Sequence, residues 1–263
     1  MTTPVATPDL LSVVYDTPLV NPSPQGLYPA VTWVEDGGAS APRWLANGAR
    51  FRVNNYGGED STGLWEAEWC GDPGDAIKDG ERPEDPDAFD PYTAWAFDMC
   101  DPTSQSQAEV RTRAQQNLRL IEPVVIEREF GARALADAGA PTPFTTIIAA
   151  VGYLEAQLAL TNTVGVIHAP AALAALAASE NLIVRQGGAL RTPLGHLWVF
   201  GGGYNVPLGQ ALVATSPVYG WRSDVVLRDT VEARYNQYVA VAERSVVVGY
   251  EKAIAAASIT ETP

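Results

Sequence analysis

The chain has 263 residues, 46% hydrophobic and 9% aromatic, enough to build a sizeable core in one large domain or two closely joined ones. Its formal charge is −14 and unevenly placed: from Glu59 to Asp101 there are 14 acidic residues against only Lys78 and Arg82. Such a surface repels a phosphate backbone and argues against a DNA-binding role, and no apolar run is long enough to span a bilayer.

Residues 1–30 contain Pro4, Pro8, Pro18, Pro22, Pro24 and Pro29 and no helical apolar pattern. They predict an extended arm or a disordered tail. Leu10, Leu11, Val13, Val14, Tyr15, Leu19 and Val20 favour the arm, because they need burial that packing on a neighbour would provide. The opening residues lack the basic start and continuous apolar core of a secretory leader. Cys70 and Cys100 are therefore expected as free thiols in a reducing cytoplasm.

Phe51 and Val53 alternate with Arg50 and Arg52, and Leu64 to Trp69 follows a turn-rich stretch, so the two flanks predict a hairpin. Residues 71–91 form an acidic excursion too long for an ordinary connection, either disordered or reaching outward. Asp101-Pro102 offers one helix start, and Ser104 with Gln107 a rival capping box. Beyond them Val110, Ala114, Leu118, Ile121 and Val125 predict one apolar face of a long helix, kinked or ended by Pro123.

The remainder predicts an α/β unit. Helices are expected over 144–160 and 170–178, and strands over 164–168, 182–184, 197–200, 211–215, 218–221 and 225–227. A Val-rich alternating stretch, 235–250, and a short Ala-rich end, 251–258, complete the chain.

The run FGGGYNVPLG, residues 200–209, invites comparison with phosphate-binding loops. It lacks the Gly-Lys-Ser/Thr of a P-loop, and a dinucleotide fingerprint would need glycine where Val206 stands, with Pro207 blocking the helix. No GxSxG elbow is present, and a zinc site would have to gather His168, His196, Cys70 and Cys100 without any short ligand spacing. Glu66 with Glu68, and Glu127 with Glu129, are carboxylate pairs of a kind glycosidases use. Acids are abundant here, and solvated or interface charges account for them more simply. Trp33, Trp65, Trp69 and Trp95 suit a sugar platform or anchors at protein contacts. No catalytic constellation, cofactor site or metal site emerges.

The order of pieces resembles the major capsid protein of tailed bacteriophages, the Hong Kong 97-type fold shared with encapsulin shells. The resemblance rests most on residues 145–228: the helix TTIIAAVGYLEAQLAL, the strand and helix GVIHAPAALAALAAS, the turn LRTPLGHLWVFGGGY and the strand ALVATSPVYGWRSDVVLR. It implies an α+β fold with an N-terminal arm (1–46), an extended-loop region (47–104), a spine helix and start of a peripheral domain (105–143), an axial domain (144–228) and a return to the peripheral domain (229–263). The implied function is a head shell built of pentamers and hexamers around a double-stranded DNA phage genome. Scaffolding, portal and decoration proteins are possible partners; no enzyme activity and no cofactor are implied. The chain would be made in the bacterial host cytoplasm and end in the virion. Trp65, Trp69, Lys78, Arg111, Arg113, Arg119, Gly202, Gly203 and Tyr204 are then candidate assembly-interface residues. An encapsulin-type compartment, another virion component, and a carbohydrate-binding or hydrolytic module built on 33–101 are the alternatives. The Pro-rich start disfavours the encapsulin, whose relatives tend to begin with an amphipathic helix.

Overall fold

Helix α1, Ser104–Ala138, organises the computed structural model, which describes residues 15–34, 47–72, 74, 75 and 77–260. Its cap lies between the two expected starts. The Thr103 hydroxyl accepts from the Ser106 N–H at 3.4 Å, and Asp101 in turn accepts from the Thr103 N–H at 2.9 Å. Pro123 neither ends nor splits the helix, although it leaves the Arg119 carbonyl without its usual donor. Gly139, at φ +78°, closes it.

The buried stripe on α1 differs from the expected one. It runs Val110, Ala114, Leu118, Glu122, Ile126, Phe130, Ala134, always in steps of four. Four residues overshoot the 3.6-residue repeat by about 40°, so the stripe winds around the helix. Ile121 is consequently 45% exposed and Val125 only half-buried. The winding lets one helix serve two cores. Val110, Ala114 and Leu118 pack on Ala94, Ala96, Tyr238, Ala240 and Ala242, whereas Ile126, Phe130 and Ala134 join Val199, Val213, Val247 and Tyr250.

The first sheet has five strands. Strand β2, Tyr92–Cys100, runs antiparallel to the 14-residue β11, Gln237–Tyr250. On the other side of β11 lie β10, Val226–Glu232, along its first half and β9, Val218–Arg222, along its second. The short β1, Thr32–Trp33, adds in parallel to β9.

The second sheet has seven strands in the order β3-β12-β8-β4-β7-β6-β5. Its members are β3, Thr142–Phe144; β4, Val166–Pro170; β5, Val184–Gln186; and β6, Ala189–Arg191. With them stand β7, Leu197–Gly201; β8, Ala211–Thr215; and β12, Ala253–Ile259. Helix α2, Ile147–Leu160, presses Ile147, Val151, Leu154 and Leu158 into a core with Ile167, Leu212, Ala255 and Ala257. The expected helix after Pro170 is a 3-10 turn, Ala171–Leu173, followed by the short α3, Ala174–Ser179. Sheet membership does not follow a single cut at 228. Strand β9 already belongs to the first sheet, and the Ala-rich end returns to the second as β12.

The predicted hairpin over 50–53 and 64–69 is absent; both stretches are irregular. Among the described residues nothing lies over Leu64 or Trp69, which are 92% and 99% exposed, so a sheet there would have no core to rest on. Instead, the described residues between 50 and 88 form a long loop whose base is closed by the Ala49–Phe89 bridge, with N–O distances of 3.0 and 2.8 Å. Phe51 packs edge-on against Phe89 at 5.4 Å, and Glu251 accepts from both the backbone and side-chain amides of Asn55 at 2.6 and 2.7 Å. The expected arm burial of Leu10, Leu11, Val13 and Val14 falls outside the described residues. Among those described, no helix is long and apolar enough to cross a membrane.

Candidate assembly surfaces and the Glu127 cradle

The glycine run does hold an anion, but one from its own chain. Glu127 projects from α1 and is almost wholly buried. One of its carboxylate oxygens accepts from the Leu27 N–H and the other from the Gly203 N–H, each at 2.9 Å. A Cβ on Gly26, Gly201 or Gly203 would overlap this side chain; on Gly203 it would also overlap the Val124 carbonyl. Gly202, by contrast, faces open space. Burial pushes the Glu127 carboxyl above the usual carboxylate range, opposed by the two N–H donors.

Tyr204, next in the run, is fully buried inside the subunit. Its hydroxyl lies 3.0 Å from His168 Nδ1, while His168 Nε2 lies 2.9 Å from the Thr215 hydroxyl. Thr215 donates its own proton to the Ser216 carbonyl, so Nε2 carries the imidazole hydrogen and Nδ1 accepts from Tyr204. Burial pushes His168 down to about 3 and the Tyr204 phenol well up, leaving both neutral at pH 7. Gly203 and Tyr204 thus serve the packing of their own subunit.

The described arm crosses α1 on the same side. The Tyr28 hydroxyl donates to buried Glu122 at 2.7 Å, and Arg244 Nη1 approaches the other Glu122 oxygen at 3.5 Å. Burial and the Glu122 charge both hold the Tyr28 phenol above its ordinary value. Trp33 donates to the Tyr28 carbonyl, packs edge-on against that ring, and carries the Arg222 guanidinium 4.5 Å over its face. Trp33 is thereby taken up in the subunit's own packing. A cleft of about 960 Å³ opens between arm and helix, with Arg119, Arg222 and Arg244 in its wall.

The remaining candidate residues do not form one group. Arg111 Nε donates to Asp229 and to the Tyr238 hydroxyl, both at 2.6 Å, tying α1 to β10 and β11. Arg113 pairs with Glu109 at 2.9 Å and Asp98 at 3.4 Å, and Arg119 bonds the Asn21 side chain of the arm. Trp65 lies in the long loop with Lys78 4.9 Å over its ring, and Trp69 stands nearly free there. Trp95, Phe97 and Met99 alternate along the face of β2 turned away from α1 and are exposed. Cys70 and Cys100 are free and exposed, while His168 is sealed in the core; no metal-holding cluster exists among the described residues.

Glu122, Arg222 and Arg244 were not singled out from the sequence, and Glu127 stood out there only as one of a pair of neighbouring acids. A signal existed for the first. Glu122 continues the step of four from Val110, Ala114 and Leu118, an acid on an otherwise apolar stripe.

No protein family and no curated protein matches this sequence. Among solved structures, the chain is similar to one from Mycobacterium phage Che8, at 12% identity and a TM-score of 0.52, over 97% of this chain and 98% of that one. It is similar to one from Microbacterium phage Oxtober96 at 13% identity and a TM-score of 0.51, over 97% and 96%. A chain from a structure described as the asymmetric unit of the bacteriophage PhiM1 mature capsid aligns at 13% identity and a TM-score of 0.49, over 98% and 93%. At such identities the likeness concerns the fold. That fold is α+β, and this chain shares it nearly end to end with the chains from the two phages.

Proposed function

We propose that this chain is a tailed-phage major capsid protein, assembling with itself into the icosahedral head that encloses a double-stranded DNA genome. The observation that carries this is end-to-end agreement of fold with chains from two phages, with almost nothing left over on either side. The subunit's own shape supports it. The loop over 50–88 leaves large apolar residues in solvent, and such surface gains burial only from another chain.

In this reading the seven-stranded sheet with α2 and α3 is the axial domain, where subunits meet around pentamer and hexamer centres. The five-stranded sheet with α1 is the peripheral domain and spine, and 50–88 is the extended loop. The virion is the protein's final location, and its work is containment, without catalysis. Portal, scaffolding and decoration proteins are its candidate partners. Negative-stain microscopy of the purified chain tests the reading: closed shells or rings of five and six subunits are expected. A clean monomer at high concentration overturns it.

A further inference from the structure

The cleft between the arm and α1 gathers positive charge in an otherwise acidic chain. Of its arginines, only Arg244 meets a carboxylate, with Nη1 3.5 Å from Glu122. Arg119 and Arg222 reach none among the described residues: one bonds the Asn21 amide oxygen, the other stacks on Trp33. Arg222 and Arg244 both oppose the upward push of burial and Glu122 on the Tyr28 phenol, so the two guanidinium groups lie within electrostatic reach of one hydroxyl. The cleft's other carboxylate, Glu127, is taken up by the Leu27 and Gly203 N–H groups. Arg244 Nε is buried and meets no acceptor among the described residues. A guanidinium N–H shut away in this manner is costly, so the wall is short of an oxygen to accept from it.

Charge and lining together define what fits. With Glu122 set against Arg244, the guanidinium charges of Arg119 and Arg222 are left over. A carboxylate or a phosphodiester would bring one negative charge, whereas a phosphate monoester carries close to two near neutral pH. Its oxygens also match the planar fork of arginine donors. Pro22, Leu118, Val124, Phe200 and Val225 make the rest of the lining largely apolar, a surface suited to the body of a ligand more than to a bare ion. The cleft's volume, about 960 Å³, falls within the range of about 300–1,000 Å³ usual for small-molecule sites.

We propose that the cleft binds a phosphate monoester, with the phosphate held by Arg119, Arg222 and the free Nε of Arg244 and the apolar or aromatic body laid against Leu118, Val124, Phe200 and Val225. A free nucleotide and the 5′-phosphorylated end of a DNA strand both carry this group. The site is complete within one subunit and stands apart from the shell reading.

Titration calorimetry of the purified chain tests it. Thymidine 5′-monophosphate should bind with a Kd below about 1 mM at about 0.15 M salt. Thymidine, which lacks the phosphate, and inorganic phosphate, which lacks the body, should each bind at least about tenfold more weakly. Thymidine 3′,5′-cyclic phosphate keeps the body and loses one charge, and should bind at least about threefold more weakly. Arg119→Gln with Arg222→Gln should weaken the 5′-monophosphate at least about tenfold without changing the thermal melt. If that variant melts early, the wild-type comparison of cyclic with open phosphate decides. The proposal is overturned by inorganic phosphate binding as tightly as the nucleotide, as an adventitious ion would. Equal affinity for the cyclic and open phosphates, no binding at about 10 mM, or indifference to the two arginines in a folded variant also overturns it. A 5′-phosphorylated octathymidylate that binds more tightly than the mononucleotide supports the site with a DNA end as its source. One that binds no more tightly supports it with a free nucleotide.

Discussion

Gly202 and Gly203 are neighbours in sequence with opposite tolerance for a side chain. At Gly203 a Cβ meets the Val124 carbonyl and lies 2.6 Å from Glu127 Cβ, so Gly203→Ala should cost about 1–3 kcal/mol or more, read by denaturant unfolding. Gly202→Ala adds an atom in open space at φ −66° and should leave stability within about 0.5 kcal/mol. Glu127 adds a pH signature. Its folded-state carboxyl binds the proton more readily than the unfolded one, so the stability it contributes is greatest in acid and is lost as pH rises through its raised pKa. Melting temperatures of wild type and Glu127→Gln across about pH 4–8 should therefore differ by an amount that shrinks in wild type's disfavour as pH rises. His168 acts the other way. Held neutral in the core, it contributes stability above about 6.5 that is lost as pH falls towards about 3.

At the scale of an element, α1 shows how a helix with two faces to satisfy distributes its apolar residues. Ile121 and Ile126 are the same residue type five positions apart, 45% and 2% exposed. Ile126→Ala should cost about 2–5 kcal/mol, whereas Ile121→Ala should fall within about 0.5 kcal/mol, both measured by chemical denaturation. A straight stripe drawn through Ile121 and Val125 would reverse that ranking. The loop makes a comparable point about strands. Alternation at 50–53 and the Trp-rich 64–69 satisfies a hairpin pattern locally, yet Phe51 is drawn to Phe89 and Trp221, leaving the other leg with no sheet to join.

Across the whole molecule, Tyr250 and Phe89 join parts that are distant in sequence. Tyr250, at the end of β11, packs against Phe89 at 4.9 Å and Phe130 of α1 at 5.6 Å, and its hydroxyl donates to Asp137 at 2.7 Å. Arg133 lies 4.6 Å over the Phe89 ring and pairs with the same Asp137. The base of the long loop, α1 and the five-stranded sheet thus share one cluster. Phe89→Ala should cost about 3–5 kcal/mol and free the loop base. Limited proteolysis should then cut within 50–88 faster than in wild type, and unchanged cleavage would show that the loop is tethered elsewhere.

Much of the fold was legible in the sequence because it is locally encoded. The apolar spacing of 147–160, the buried run before Ala169-Pro170, the strand 211–215 and the alternating 237–250 each carry their own period, and each appears within a few residues of its expected place. The order of those pieces was enough to suggest the fold that this chain shares with chains from two phages. What tertiary structure alone decided is which distant groups meet. Nothing local pairs Glu127 with Gly26, Gly201 and Gly203, brings Arg222 and Arg244 beside Arg119, or sends β12 back to the sheet that β9 has left. The physical reason is that period and propensity act over a few residues, whereas an anion cradle is a coincidence of backbone from three segments. Judged locally, FGGGYNVPLG fails every phosphate template; in three dimensions it closes on a carboxylate supplied 76 residues earlier.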